Sequence, residues 1–359
     1  MCQKTFRLAI GLFFLCCVAM VPPVWGKSSL LLDKAPAAYQ VREGDTLWGI
    51  AGRFLHEPWL WPEIWAGNPN IDNPHLIFPG DRIILGYDAA GNPSLRLERK
   101  GVRTYWENGQ RVVKLSPEVR FEAADGAIPT VPISVIKPFF NQSRVISDEI
   151  AENSPKIVAL DEDHLVVGAG DRIYARPILP EIPLDVFSIF RVEKDYIHPT
   201  TNEYLGTEGL ELGKAVLEQH GDPASLILRK SNAEIRVGDQ LIEPENHKLD
   251  AYFIPKAPQG MPEGLIISVF GGLSQIGQYQ VIVITGGRDQ FRESGDVLSV
   301  RQSQKDIPSR LRTQDPETMD YPRLKVGKLV VFRVFDKVSY ALVMSATRPI
   351  YLLDSVGMP

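Results

Sequence analysis

The chain has 359 residues, 44% of them hydrophobic and 23% charged, with a formal charge of −5. That length can bury a sizeable core in two or three domains. With 39 Lys and Arg against 44 Asp and Glu, no basic footprint points to nucleic acid, which excludes that class of partner.

Lys4 and Arg7 precede an apolar run over residues 9–21, AIGLFFLCCVAMV, and Pro22, Pro23 and Gly26 follow it. This is the pattern of an export signal over residues 1–26, cleaved after Gly26. The run falls short of the roughly 20 apolar residues of a spanning helix, although a retained anchor is the competing reading. Leu15 and Cys16 stand where lipidation would need a small residue before a cysteine. The cysteines are Cys2, Cys16 and Cys17, all inside the segment. Its removal leaves no thiol for a disulfide or a cysteine nucleophile.

Residues 27–38 read as a linker, and residues 39–86 as a compact unit. Tyr39, Gln40 and Val41 alternate as a strand. Gly44 and Asp45 turn the chain, and Asp45 is placed to cap the next helix. Leu47, Ile50, Ala51 and Phe54 then fall on one helical face. Pro58 ends that helix, and Pro62 suits the first turn of a second one over residues 62–67, with Ile64 and Trp65 facing inward. The turn formers of residues 68–74, NPNIDNP, lead into a return strand over residues 76–85. Trp48, Trp61 and Trp65 are expected to fill the core. Trp59, in the aromatic stretch from Phe54 to Trp61, is the best candidate for exposure.

A turn-rich boundary at residues 87–93 opens a connecting region over residues 87–156. It alternates from Leu95 to Phe121, with a hairpin at Glu107-Asn108-Gly109. Its three prolines keep residues 128–140, IPTVPISVIKPFF, from being an interior strand, and residues 133–140 suit a short helix or docking segment. Short β-branched runs follow, punctuated by Gly-Asp or Gly-Lys: VGAGDRIYA (167–175), IRVGDQLIE (235–243), RESGDVLSV (292–300) and LKVGKLVVF (324–332). These read as turns that start strands. They predict two small β-barrels or sandwiches, over residues 157–250 and 260–354. The polar residues 303–322 read as an exposed loop. The fold class expected is α+β: a βααβ module followed by a mainly-β region.

YQVREGDTLWGIA (39–51) and WPEIWAGNPNIDNPHLIFPGDRIIL (61–85) resemble a LysM domain, the peptidoglycan- and chitin-binding module. The resemblance implies a shallow groove for N-acetylglucosamine-containing glycan, with Gly44, Asp45, Thr46 and Leu47 on one wall and Asn70, Ile71, Asn73 and Pro74 on the other. One such groove binds weakly, with Kd on the order of 0.1–1 mM, or about −4 to −5 kcal/mol. Copies held in a homo-oligomeric ring would gain roughly 10²–10⁴ in avidity.

No catalytic constellation accompanies the module. The histidines His56, His75, His164, His198, His220 and His247 form no His-x-His or His-Glu-x-x-His, so no zinc peptidase is indicated. Asp161, Glu162 and Asp163 read as a solvated run, and His198 as part of a hairpin turn. The chain is expected to be non-enzymatic, with no metal and no cofactor. Phe139, Phe140, Phe332, Phe335, Tyr340 and Tyr351 are aromatic interface candidates whose default is core packing.

The stretches over residues 112–140, 166–175, 186–206 and 326–354 are similar to LysM proteins that associate with the type IV pilus secretin. In those proteins the carboxyl-terminal β region is similar to part of a flagellar-assembly protein. A Pro199-Thr200-Thr201-Asn202-Glu203 turn replaces the commoner Pro-x-Thr-Gly-Glu. The resemblance implies a periplasmic anchor that holds peptidoglycan and the outer-membrane secretin. An accessory or activator of a wall hydrolase and an assembly factor of another envelope machine, such as the flagellum, stay open as alternatives.

Overall fold

The computed structural model describes residues 30–65, 77–88, 91–98, 102–107, 110–115, 128–141, 143–161, 165–177, 185–244, 253–260, 263–271, 275–302 and 323–359. The expected signal segment and the polar stretch 303–322 lie outside these residues. So do Glu162, Asp163 and the side chain of Phe140.

The amino-terminal unit runs β1 (Ala38–Gln40), α1 (Leu47–Phe54), a 3₁₀ turn (Pro58–Leu60), α2 (Trp61–Trp65) and β2 (Arg82–Tyr87). β1 pairs antiparallel with β2, and β3 (Pro93–Glu98) adds to the free edge of β2. Leu47, Ile50, Ala51 and Phe54 are all buried on one face of α1, as their spacing requires, over Ile77, Ile83 and Leu95. Trp61 and Trp65 pack edge to face, with ring centroids 6.4 Å apart. α2 begins one residue before Pro62, which takes an early position inside the helix where a missing N–H does no harm. β4 (Val102–Glu107) and β5 (Gln110–Leu115) pair with Glu107 opposite Gln110, the hairpin that Asn108-Gly109 implies.

α3 (Ile133–Asn141), β6 (Ser143–Ile146) and α4 (Asp148–Asn153) lead into two closed sheets. The first uses β7 (Lys156–Leu160), β8 (Arg172–Arg176), β9 (Val186–Ile197), β10 (Tyr204–Gln219), β11 (Ala224–Ser231) and β12 (Gln240–Ile242). β11 pairs with both β8 and β10, so the sheet returns on itself, and β6 adds beside Thr207 to Leu210 of β10. The second uses β13 (Gly264–Val269), β14 (Val281–Thr285), β15 (Val297–Gln302), β16 (Leu324–Val334), β17 (Val338–Ala346) and β18 (Ser355–Gly357). With each barrel's strands counted in chain order, both rings read first, second, fifth, fourth, third, sixth.

The turns repeat as well. Gly168 N donates to Asp171 Oδ2 before β8, as Gly277 N does to Gln280 Oε1 before β14. Arg236 N donates to Asp239 Oδ2 before β12, as Tyr351 N does to Asp354 Oδ2 before β18, both at 2.9 Å. The residue just before the acceptor has positive φ each time: Gly170, Tyr279, Gly238 and Leu353. Even the isolated bridges correspond, Val167 with Ile235 and Ile276 with Ile350. One run breaks the pattern. Gly327 does not start a strand but lies buried inside β16, paired with Val300 and Ala346. A Cβ there would stand 2.7 Å from Ser345 O, so glycine permits the close backbone approach.

Alternation along β14, β16 and β17 sends Ile282, Ile284, Leu329, Val331, Ala341 and Val343 into the second barrel. The opposite face is buried too. Val281, Val283, Val330, Phe332, Val338, Tyr340 and Leu342 lie beneath Val131 and Ile136, Tyr196 and Leu205 of the β9–β10 hairpin, and Trp48 of α1. Phe332, Phe335 and Tyr340 are therefore core residues, with Phe139 partly buried against them, whereas Tyr351 stays 44% exposed. This double burial explains runs such as VIVIT, which are apolar without alternation.

Candidate functional site

The turn entering α1 is built from short-range hydrogen bonds. Gly44 takes φ +84, which costs a residue without Cβ nothing. Asp45 Oδ2 accepts Arg42 N at 2.8 Å and the Tyr39 hydroxyl at 3.0 Å. That carboxylate ties the turn to β1 and does not cap the helix. The cap is Thr46, whose Oγ1 accepts Gly49 N at 3.0 Å. Both residues are cap formers; Asp45 is claimed first by donors behind it. Burial, and next the Asp45 hydrogen bond, hold the Tyr39 hydroxyl above its ordinary pKa.

A helix start leaves N–H groups in need of acceptors. Here residues 128–131 supply them. Leu47 N donates to Pro129 O at 2.9 Å and Trp48 N to Thr130 O at 3.1 Å. On the other side Ile128 N donates to Ile77 O at 2.8 Å, where the return segment begins. Ile128 joins the amino-terminal core and Val131 the outer core of the second barrel. Thr130 is fully buried, and its hydroxyl has no partner among the described residues.

Of the expected glycan residues, Gly44, Asp45, Thr46 and Leu47 therefore lie in one continuous turn, with the Leu47 side chain buried in the core. Asn70, Ile71, Asn73 and Pro74 lie outside the described residues. Sequence reasoning missed residues 128–131 as part of this place. The signal was present: Pro129 and Pro132 hold Ile128 and Val131 extended and bring no N–H of their own, so the stretch leaves the carbonyls of Pro129 and Thr130 to outside donors.

The stretch after α1 also differs from expectation. Trp59 is not exposed; it packs against the second barrel's outer cluster and donates from Nε1 to Glu57 Oε2 at 3.0 Å. Glu57 in turn pairs with Lys328 of β16. The aromatic insert thus fastens the amino-terminal unit to the barrel. Trp48 reaches the same cluster.

Elsewhere, a cleft of about 260 Å³ runs between the barrels, lined in part by Arg144, Tyr204, Arg288 and Lys337. Arg288 is paired with Asp336 and Lys337 with Glu203, and Arg144 donates to Glu243 O at 3.3 Å. His198 sits in the β9–β10 turn, where Nδ1 accepts Thr200 N and Thr201 N, and Asn202 adopts φ +57 in place of glycine. No group of three or more metal-capable side chains occurs among the described residues.

Residues 39–86 match the LysM domain family. They form a LysM domain, a binding module whose family binds N-acetylglucosamine-containing peptidoglycan. The chain is also 41% identical over 59 residues to the uncharacterized protein YqbP of Bacillus subtilis, a match covering 14% of this chain and 27% of that protein. The chain thus spans about a quarter of the length of the curated relative it matches.

Proposed function

We propose that the chain is a non-catalytic, exported anchor of the cell envelope. The LysM domain holds peptidoglycan between the 44–47 turn and the loop containing Asn70, Ile71, Asn73 and Pro74. The two barrels hold the type IV pilus secretin of the outer membrane, so that the pore resists the pull of pilus retraction. The periplasm is the compartment in which both partners are met.

The observation that carries the glycan half is the LysM match over residues 39–86 together with the Gly44 turn, whose backbone bend suits close approach to a sugar. Support for the anchoring half comes from the way the LysM unit is fastened to the second barrel by Trp48 and by Glu57 with Lys328, a rigid route for tension between wall and machine. Sedimentation of the full chain with purified sacculi tests the first half; an Asn70→Ala/Asn73→Ala variant is expected to stay in the supernatant. Undiminished sedimentation of that variant would remove those residues from the site. Co-purification from detergent-solubilised outer membrane, read by mass spectrometry, tests the second half. Recovery of a different envelope machine in place of the secretin would replace the partner.

A further inference from the structure

We propose that residues 128–131 are an internal occupant of the LysM groove, so that glycan and self-segment exclude one another. This rests on the reading of the 44–47 turn as a glycan wall. An N-acetyl group offers an amide carbonyl to protein N–H groups. The carbonyls of Pro129 and Thr130 offer the same chemistry and already hold the N–H groups of Leu47 and Trp48, at 2.9 and 3.1 Å. The segment is also tied to the start of the described return segment, where Ile128 N donates to Ile77 O at 2.8 Å. A sugar that uses the amides of Leu47 and Trp48 must first displace these carbonyls.

Burial of Ile128 and Val131, 2% and 0% exposed, opposes release, whereas the hydrogen bonding that retains the segment is sparse. Pro129 and Pro132 lack N–H groups, so fewer hydrogen bonds retain it than would retain a strand of equal length. The Thr130 hydroxyl is buried without a partner among the described residues, a cost that withdrawal into water removes. Beyond Pro132 the chain enters α3, and Arg333 of the second barrel grips its carboxyl end through Phe139 O at 2.7 Å and the start of β6 through Ser143 O at 2.6 Å. Occupancy of the groove is thereby joined to the barrel surface. A partner or a load that draws α3 away from the barrel withdraws the segment and frees the groove.

A segment seated in about nine of ten molecules weakens apparent glycan affinity about tenfold. The test is calorimetric titration of the full chain and of a Val131→Asp variant with the hexamer of N-acetylglucosamine, beside amide exchange at Leu47 and Trp48. Affinity about tenfold tighter in the variant is expected. Both amides should be slow to exchange in the parent chain and fast in the variant. Equal affinity in the two chains, or fast exchange in the parent, overturns the proposal while leaving the glycan reading standing. Failure of both chains to bind either the hexamer or sacculi overturns the glycan reading and this proposal with it. Should the buried aspartate prevent folding, an Ile128→Ala/Val131→Ala pair is judged by the same outcomes.

Discussion

The hydroxyls of Ser143 and Tyr340 lie 3.2 Å apart, although 197 residues separate them. Ser143 opens β6, the strand added to the first barrel, whereas Tyr340 stands in β17 of the second. Burial holds the Tyr340 hydroxyl well above its ordinary pKa, so it stays neutral at any working pH. Its ring meets Phe335 at 4.8 Å and Phe270 at 5.1 Å between centroids. Removal of the hydroxyl alone, in Tyr340→Phe, is expected to cost about 1–2 kcal/mol by leaving Ser143 without this partner. Removal of the ring, in Tyr340→Ala, should cost about 3–5 kcal/mol. Urea unfolding measures both; equal losses would mean that the hydroxyl carries the joint and the ring does not.

Arg333 is 7% exposed and holds Phe139 O near the end of α3 and Ser143 O at the start of β6, while lying 4.8 Å from the centre of the Phe335 ring. Lysine carries the charge without the planar fork. Arg333→Lys is expected to cost about 1–3 kcal/mol and to speed proteolysis near α3. Unchanged proteolysis in that region would mean that α3 is held by its apolar face alone.

The repeated turns give a prediction of opposite sign. Leu353 has φ +70 at the position where the first barrel has Gly238, and its side chain is 59% exposed. The left-handed conformation costs a leucine about 1–2 kcal/mol, against about 0.5–1 kcal/mol of extra chain entropy for glycine. Leu353→Gly should therefore stabilise by about 0.5–1 kcal/mol, read as a rise in Tm. The reverse exchange, Gly238→Leu, should lower it.

Glu203 and Lys337 join the β9–β10 turn to the second barrel through a contact of 2.6 Å. The Lys337 hydrogen bond holds the Glu203 carboxyl below its ordinary value. A carboxyl lowered in the folded state stabilises above its unfolded pKa of about 4.3, and that stabilisation fades as pH falls through the lower folded value. Because both groups are exposed, the effect is better read by carbon NMR of the carboxyl than by unfolding. Its midpoint should rise in Lys337→Ala; an unmoved midpoint would show that the pair does not persist in solution.

Much of the local structure was legible in the sequence because it depends on near neighbours. The apolar face of α1 follows from the spacing of Leu47, Ile50, Ala51 and Phe54, and the turns before β8 and β12 from Gly170-Asp171 and Gly238-Asp239. What stayed hidden depends on distant partners. Thr46 rather than Asp45 caps α1 because Tyr39 and the backbone of Arg42 take the carboxylate first. Gly327 lies within a strand because Ser345 and Ile350 crowd it, which a Gly-Lys pair does not announce. Trp59 is covered by a barrel more than 200 positions later in the chain. The carbonyls of Pro129 and Thr130 at the candidate site were out of reach for the same reason.

In each barrel the opening and closing strands, β7 with β12 and β13 with β18, are immediate neighbours. Entrance and exit therefore sit side by side, and nothing must be threaded through the cylinder to continue the chain. A unit of that kind behaves as a cassette: a gene can copy it in tandem, or an engineer can graft one in place of another, with only the outward-facing side chains left to be retuned for a new neighbour.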